Sequence, residues 1–150
     1  LNNLRKFDAV FINGSNINKQ FLKKIKIINP EISIFSGEYV SSNYNKLRKN
    51  NYLTFCGIGN PNSFKNTLNK YRIKNKINLI YPDHYNYSEL EIKKIKDIAK
   101  LKKLKILTTE KDFYRIPIKL RKNINFLKIN LKIKKLKEFE KFISKYLWKI

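Results

Sequence analysis

"YLTFCGIGNPNSFKNTLNKYR", residues 52–72, decides how this chain is built. Tyr52–Cys56 is apolar and rich in strand formers, so it reads as a strand. Gly57-Ile58-Gly59-Asn60-Pro61 stops it. Pro61 suits the first turn of a helix, where its missing N–H does no harm. That helix runs to about Arg72, with Phe64, Leu68 and Tyr71 on one face. A strand, a tight turn and a helix in one short stretch point to an α/β construction.

The same alternation extends in both directions. Upstream, "DAVFIN" (Asp8–Asn13) is an apolar strand ending at the turn signal Asn13-Gly14-Ser15. "EISIFS" (Glu31–Ser36) follows Pro30 and alternates apolar with polar, as a half-exposed strand does. The polar stretch 37–51 reads as an irregular connection. Downstream, "INLIYP" (Ile77–Pro82) is a fourth strand. Ser88-Glu89-Leu90-Glu91 is a capping box that opens a helix to about Lys103. Leu90, Ile95, Ile98 and Leu101 or Lys102 fall near one side of it, and Glu89 and Lys93 form an i,i+4 pair. "KILTT" (Lys105–Thr109) is a fifth strand, and residues 110–117 form a short helical turn stopped by Pro117. "INFLKINLKI" (Ile124–Ile133) is a sixth strand. Leu136, Phe139, Ile143, Tyr146 or Leu147, and Ile150 mark a final amphipathic helix. Its apolar stripe is more often core than membrane anchor. The expected fold is α/β, a mostly parallel sheet flanked by helices, with residues 1–150 forming a single α/β region.

The totals bound the rest. A chain of 150 residues supports one domain with a real core. Apolar residues make up 42%, which argues against disorder. The start "LNNLRKF" lacks the apolar region of a signal peptide. The single Cys56 cannot close an internal disulfide and fits a reducing compartment. Methionine is absent and the first residue is Leu1, so a piece of a longer protein, lacking its upstream part, is expected. The net charge of +23 invites a nucleic-acid reading. Yet of 34 basic residues only Arg5, Arg48, Arg72, Arg115 and Arg121 are arginine, the residue whose planar fork reads bases and clamps phosphates. Abundant Lys, Asn, Ile, Tyr and Phe suit A/T-rich coding instead. No specific nucleic-acid partner is expected, and attraction to anionic lipid stays open.

In a parallel sheet ligands bind beyond the carboxyl ends of the strands. Three polar loops lie there: 57–61, 82–87 and 108–112. In the first, Gly57 and Gly59 allow close backbone approach, to a phosphate or to another segment of chain, while Asn60 precedes the helix. No Gly-Lys pair occurs, so this is not a phosphate-cradling P-loop. In the second, "PDHY" sets Asp83 beside His84, the only histidine. An imidazole can pass or orient a proton near neutrality, or it can simply be exposed. On an extended backbone neighbouring side chains point apart, so Asp83 and His84 are not expected to pair directly. In the third, "TTEKD" gathers Thr108, Thr109, Glu110, Lys111 and Asp112. Either Thr109 caps a helix with acids in its first turn, or the loop touches substrate or nucleotide. Metal-ligand spacing is absent.

Taken together and in order, "GIGNPNSF" (Gly57–Phe64), "YPDHYNY" (Tyr81–Tyr87) and "TTEKDFYR" (Thr108–Arg115) resemble the tetraacyldisaccharide 4′-kinases of the lipid A pathway in Gram-negative bacteria. "FDAVFINGSN" near the start is similar to that family's early strand. One departure is Tyr81, where the family carries phenylalanine. The resemblance covers essentially the whole chain. It implies the C-terminal part of a P-loop-kinase-like fold of two lobes. Residues 1–36 would end the nucleotide lobe and residues 52–150 would form the second lobe, with the P-loop lobe lying upstream. It implies dependence on ATP and Mg2+, both held mainly by that upstream lobe, so that this chain alone turns over nothing. The implied substrate is the lipid A disaccharide precursor, phosphorylated at its 4′-hydroxyl by an enzyme lying peripherally on the cytoplasmic face of the inner membrane. His84, beside Asp83, takes the catalytic place of the family's histidine, which handles the hydroxyl proton with an aspartate of the nucleotide lobe. Gly57, Gly59, Asn60, Thr108, Thr109, Glu110, Lys111 and Asp112 are then substrate- or nucleotide-proximal.

Overall fold

A computed structural model describes residues 2–14 and 17–147. Leu1, the Ser15 of the first turn signal and the Ile150 of the last helical stripe lie outside them. The chain forms two compact units, Leu1–Val40 with Asn130–Ile150, and Ser41–Ile129.

The first unit holds strands β1 (Ala9–Asn13) and β2 (Ser33–Ser41), joined by helix α1 (Lys19–Ile28). The two strands run parallel, with Ala9 opposite Ser33 and Asn13 opposite Gly37. Helix α1 is capped by Asn18, whose side chain accepts from Gln20 N–H at 2.8 Å. An asparagine directly before the run is the local sequence signal for this helix, which no expectation above includes. The sheet order is β1-β2-β7, with β7 spanning Ile129–Ile133. The last helix here is Leu136–Leu147, α6 in chain order. Phe139 and Phe142 pack their rings on Phe35 at 5.1 Å each, and Phe139 also meets Phe11 at 5.9 Å. The stripe of α6 is therefore used against the sheet.

The second unit carries the polar loops. It contains α2 (Tyr44–Leu47), β3 (Asn51–Cys56), α3 (Pro61–Lys70), β4 (Lys74–Ile80), α4 (Glu89–Leu101), β5 (Lys105–Thr109), α5 (Glu110–Arg115) and β6 (Ile124–Leu127). Its four strands lie in the order β4-β3-β5-β6, and every pairing is parallel. Central β3 is buried on both faces, as strands covered by helices on each side must be. Leu53 and Phe55 face one core with Ile92, Ile95 and Ala99 of α4. Tyr52 and Cys56 face the other with Phe64 and Leu68 of α3. Alternate residues of one strand thus build two cores, a direct result of the two-residue period.

Several expectations need correction. β2 runs on to Ser41, and α2 follows it, so much of the stretch read as an irregular connection is regular. The strand expected over 124–133 is two, β6 and β7, in different sheets. The break falls at Lys128, whose N–H donates to the Asn43 side chain at 3.0 Å while its carbonyl accepts from Ser42 N–H at 3.1 Å. Both backbone groups are thereby satisfied off the β6 ladder. Helix α4 buries Ile92, Ile95 and Ala99, spaced i, i+3, i+7, whereas Leu90 and Leu101 are more than 70% exposed and Ile98 is exposed too.

Candidate active site

Because β3, β4 and β5 are parallel neighbours, the loops that leave them emerge on one edge of the sheet. The loop after β4 is the most built of the three. Tyr81, Tyr85 and Tyr87 pack against one another with ring centroids 4.8 to 5.3 Å apart, and Tyr87 meets Phe55 edge-on at 5.2 Å. The alternating tyrosines fold inward as the floor of the loop, leaving Pro82, Asp83 and His84 exposed. Glu91 ties the loop to α4. Its carboxylate accepts from the Tyr85 hydroxyl in a very short hydrogen bond, and from Ser88 N–H at 2.9 Å and Ser88 Oγ at 2.7 Å. Tyr85, then Ser88, holds Glu91 below the usual carboxylate range, and Glu91 in turn raises the Tyr85 phenol.

His84 has φ of 60°, the left-handed region that a non-glycine residue enters at a cost. Its N–H donates to Gly57 O at 3.2 Å and to Asp83 Oδ1 at 2.9 Å. The turn corrects the expectation that Asp83 and His84 point apart. That expectation assumed an extended backbone, and here His84 Nε2 stands 3.8 Å from Asp83 Oδ2.

Gly57 is buried beneath this loop. A Cβ there would lie 2.9 Å from Pro82 O, 2.9 Å from Tyr85 Cβ and 3.1 Å from Tyr87 Oη. Of the two openings left by the sequence, close approach to another chain segment is therefore what this glycine provides. At Gly59 a Cβ would meet only the Asp83 carboxylate, at 3.0 Å. Asn60 caps α3, accepting from Ser63 N–H at 3.1 Å.

The third loop supplies the anchor. Thr108 is fully buried and donates to Phe55 O at 2.7 Å. Thr109 caps α5: its hydroxyl accepts from Asp112 N–H at 3.1 Å and donates to Asp112 Oδ2 at 2.6 Å. Glu110 is half-buried and Lys111 exposed. Asp112 has no exposure at all. Its Oδ1 lies 3.5 Å from Arg115 Nη1, one helical turn on. The buried carboxylate also raises its neighbours. Burial first and Asp112 second push the Cys56 thiol up to about 11 and the Tyr87 phenol far above its ordinary value. Neither Tyr87 Oη nor Asp112 Oδ1 makes a hydrogen bond of good geometry.

Arg115 joins the three loops. Nη1 donates to Gly57 O at 3.0 Å, and Nη2 meets His84 Nδ1 at 3.0 Å. In sequence Arg115 is only the last residue of the stretch Thr108–Arg115, with no role attached. The available sign was the i,i+3 spacing of Asp112 and Arg115 on a short helix. Glycine turn, imidazole and threonine-capped helix are thus brought together, whereas Thr108 and Asn60 serve the fold. Among the described residues no three His, Cys, Asp or Glu side chains gather as a metal site. Gly57 is covered by the 82–87 loop rather than open to a phosphate.

The geometry defines a parallel α/β domain with a histidine-bearing polar site at the carboxyl edge of its strands. The family model described as tetraacyldisaccharide-1-P 4′-kinase matches residues 1–147. A tetraacyldisaccharide 4′-kinase of Pelagibacter ubique is 39% identical over 135 residues, covering 89% of this chain and 43% of its own length. Tetraacyldisaccharide 4′-kinases of Rickettsia peacockii and Rickettsia akari are 32% and 35% identical over 108 residues, covering 72% and 71% of this chain and 33% of theirs. No solved structure matches. The chain belongs to the tetraacyldisaccharide 4′-kinase family, and it spans between a third and somewhat over two fifths of the length of these relatives.

Proposed function

We propose that this chain is the histidine-bearing part of an enzyme that transfers the γ-phosphoryl group of ATP to the 4′-hydroxyl of a tetraacyldisaccharide 1-phosphate, the lipid A precursor. Family membership supports the reaction. The observation that carries the site is the convergence of the 57–61, 82–87 and 108–115 segments on His84 through one guanidinium. Phosphoryl transfer asks a protein for positioning and charge stabilisation more than for covalent chemistry. A sugar hydroxyl is a weak nucleophile, so a group that holds it in line for attack assists. The exposed imidazole, raised on its tyrosine floor and beside Asp83, is suited to meet that hydroxyl.

Residues beyond this chain hold ATP and Mg2+ in this reading. Residues 1–36 end the nucleotide lobe in this reading, and residues 52–150 belong to the second lobe. The net charge of +23 favours the anionic headgroups of the inner membrane's cytoplasmic face, where the enzyme sits peripherally. The test is transfer of labelled phosphate from ATP to the disaccharide. A complete protein carrying this chain should label the 4′ position, and residues 1–150 alone should not. Labelling by the chain alone, or none by the complete protein, would refute the proposal.

A further inference from the structure

Arg115 reaches His84 from a fixed platform. Its Nη1 is held by Gly57 O at 3.0 Å and faces the buried Asp112 carboxylate at 3.5 Å. That leaves Nη2 aimed at His84 Nδ1, 3.0 Å away. A guanidinium has five N–H donors, no acceptor and no accessible neutral form. The imidazole nitrogen facing it must therefore offer a lone pair. A neutral ring bare at Nδ1 carries its proton at Nε2. Nε2 is also the nitrogen nearer the Asp83 carboxylate, 3.8 Å from Oδ2, which favours an N–H there. The costly left-handed backbone of His84 is held by the same carbonyl that holds Arg115, since Gly57 O accepts from both. Ring position and ring protonation are thereby set together.

We infer that Arg115 is a positioning residue that locks neutral His84 in the Nε2–H tautomer, so that the exposed nitrogen works as a hydrogen-bond donor toward an acceptor oxygen. The consequence for catalysis rests on the proposed phosphotransfer, but the tautomer itself does not. In the locked state His84 cannot take a proton at its exposed nitrogen. It orients an oxygen lone pair opposite it, and uptake of a proton at Nδ1 requires Arg115 to let go.

The chain contains one histidine, so the imidazole 15N spectrum of the 150-residue protein shows a single ring. Recorded at a pH where the ring is neutral, it should show a bare Nδ1 and a protonated Nε2. Arg115→Met keeps the apolar stem and removes the donors. It should lower the ratio of Nε2–H to Nδ1–H roughly tenfold, the scale of one hydrogen bond to a charged group. A wild-type spectrum showing protonated Nδ1, or an even mixture of tautomers, would overturn the inference without recourse to any variant. A wild-type ratio unchanged in folded Arg115→Met would overturn it as well. Either failure leaves the phosphotransfer proposal standing, and failure of phosphotransfer leaves the tautomer standing.

Discussion

Replacing Gly57 by alanine should do far more damage than the same change at Gly59, two residues along the same turn. At Gly57 the new Cβ would sit 2.9 Å from Pro82 O, which is backbone, and 2.9 Å from Tyr85 Cβ, the root of a side chain. Neither can swing aside. Relief requires the whole 82–87 loop to lift, and that stretches the two hydrogen bonds Gly57 O accepts from His84 and Arg115. Forced overpacking of this kind costs ~1–3 kcal/mol, and the strained anchors put this case toward the upper end. At Gly59 the Cβ meets the end of the exposed Asp83 carboxylate at 3.0 Å, which can rotate away. With no left-handed backbone to penalise the change, Gly59→Ala should stay within ~0.5 kcal/mol of wild type. Urea unfolding followed by tyrosine circular dichroism separates the two. For a slope of ~2 kcal/mol per molar, typical of small domains, Gly57→Ala should lower the midpoint by roughly 1 M. Midpoints for the two variants within ~0.3 M of each other would refute the argument that close approach of the loop dictates the glycine.

Further outcomes follow from two titrating groups, Cys56 and Glu91. Cys56 is buried and its thiol is pushed up to about 11, so at pH 8 its thiolate should be about a hundredfold scarcer than in the unfolded chain. A disulfide reagent should label it only on unfolding, and labelling at the rate of a free thiol would contradict its placement. The same raised thiol adds stability that is complete below its ordinary value near 9 and lost as pH rises through about 11. Glu91 is depressed by Tyr85 and Ser88, so its contribution is present above the ordinary carboxylate range and lost as pH falls through its lowered value. Glu91→Gln should therefore be less stable than wild type at neutral pH, with the gap closing in acid. Parallel stability profiles for the two would exclude this role.

The sequence made the strand–turn–helix of residues 52–72 legible because glycines, Asn60 and Pro61 punctuate it, and because Phe64 and Leu68 repeat at helical spacing. Ser88 and Glu91 likewise announced α4, since a capping box is a local device written in four residues. Which face of α4 is buried was not legible. Leu90, Ile92, Ile95, Ile98 and Leu101 offer two overlapping stripes, and only the sheet beneath chooses between them. The break at Lys128 is set by Asn43, a partner far away in sequence, so nothing local marks it. The site divides in the same way. Thr109 as a helix cap could be read from its neighbours, and the three loops could be placed at strand ends. The left-handed turn at His84, and Arg115 as the group uniting the loops, depend on Gly57 O receiving both. That is a tertiary fact, invisible to periodicity and spacing.

The central claim is that His84 stands at the reacting hydroxyl of a lipid phosphotransfer. It is tested by turnover of the complete enzyme carrying His84→Ala, measured with saturating ATP and disaccharide. Loss of the group that orients the reacting hydroxyl predicts a fall in kcat of ~10²-fold or more in a variant that unfolds like wild type. A folded His84→Ala enzyme with near-normal kcat would contradict the account.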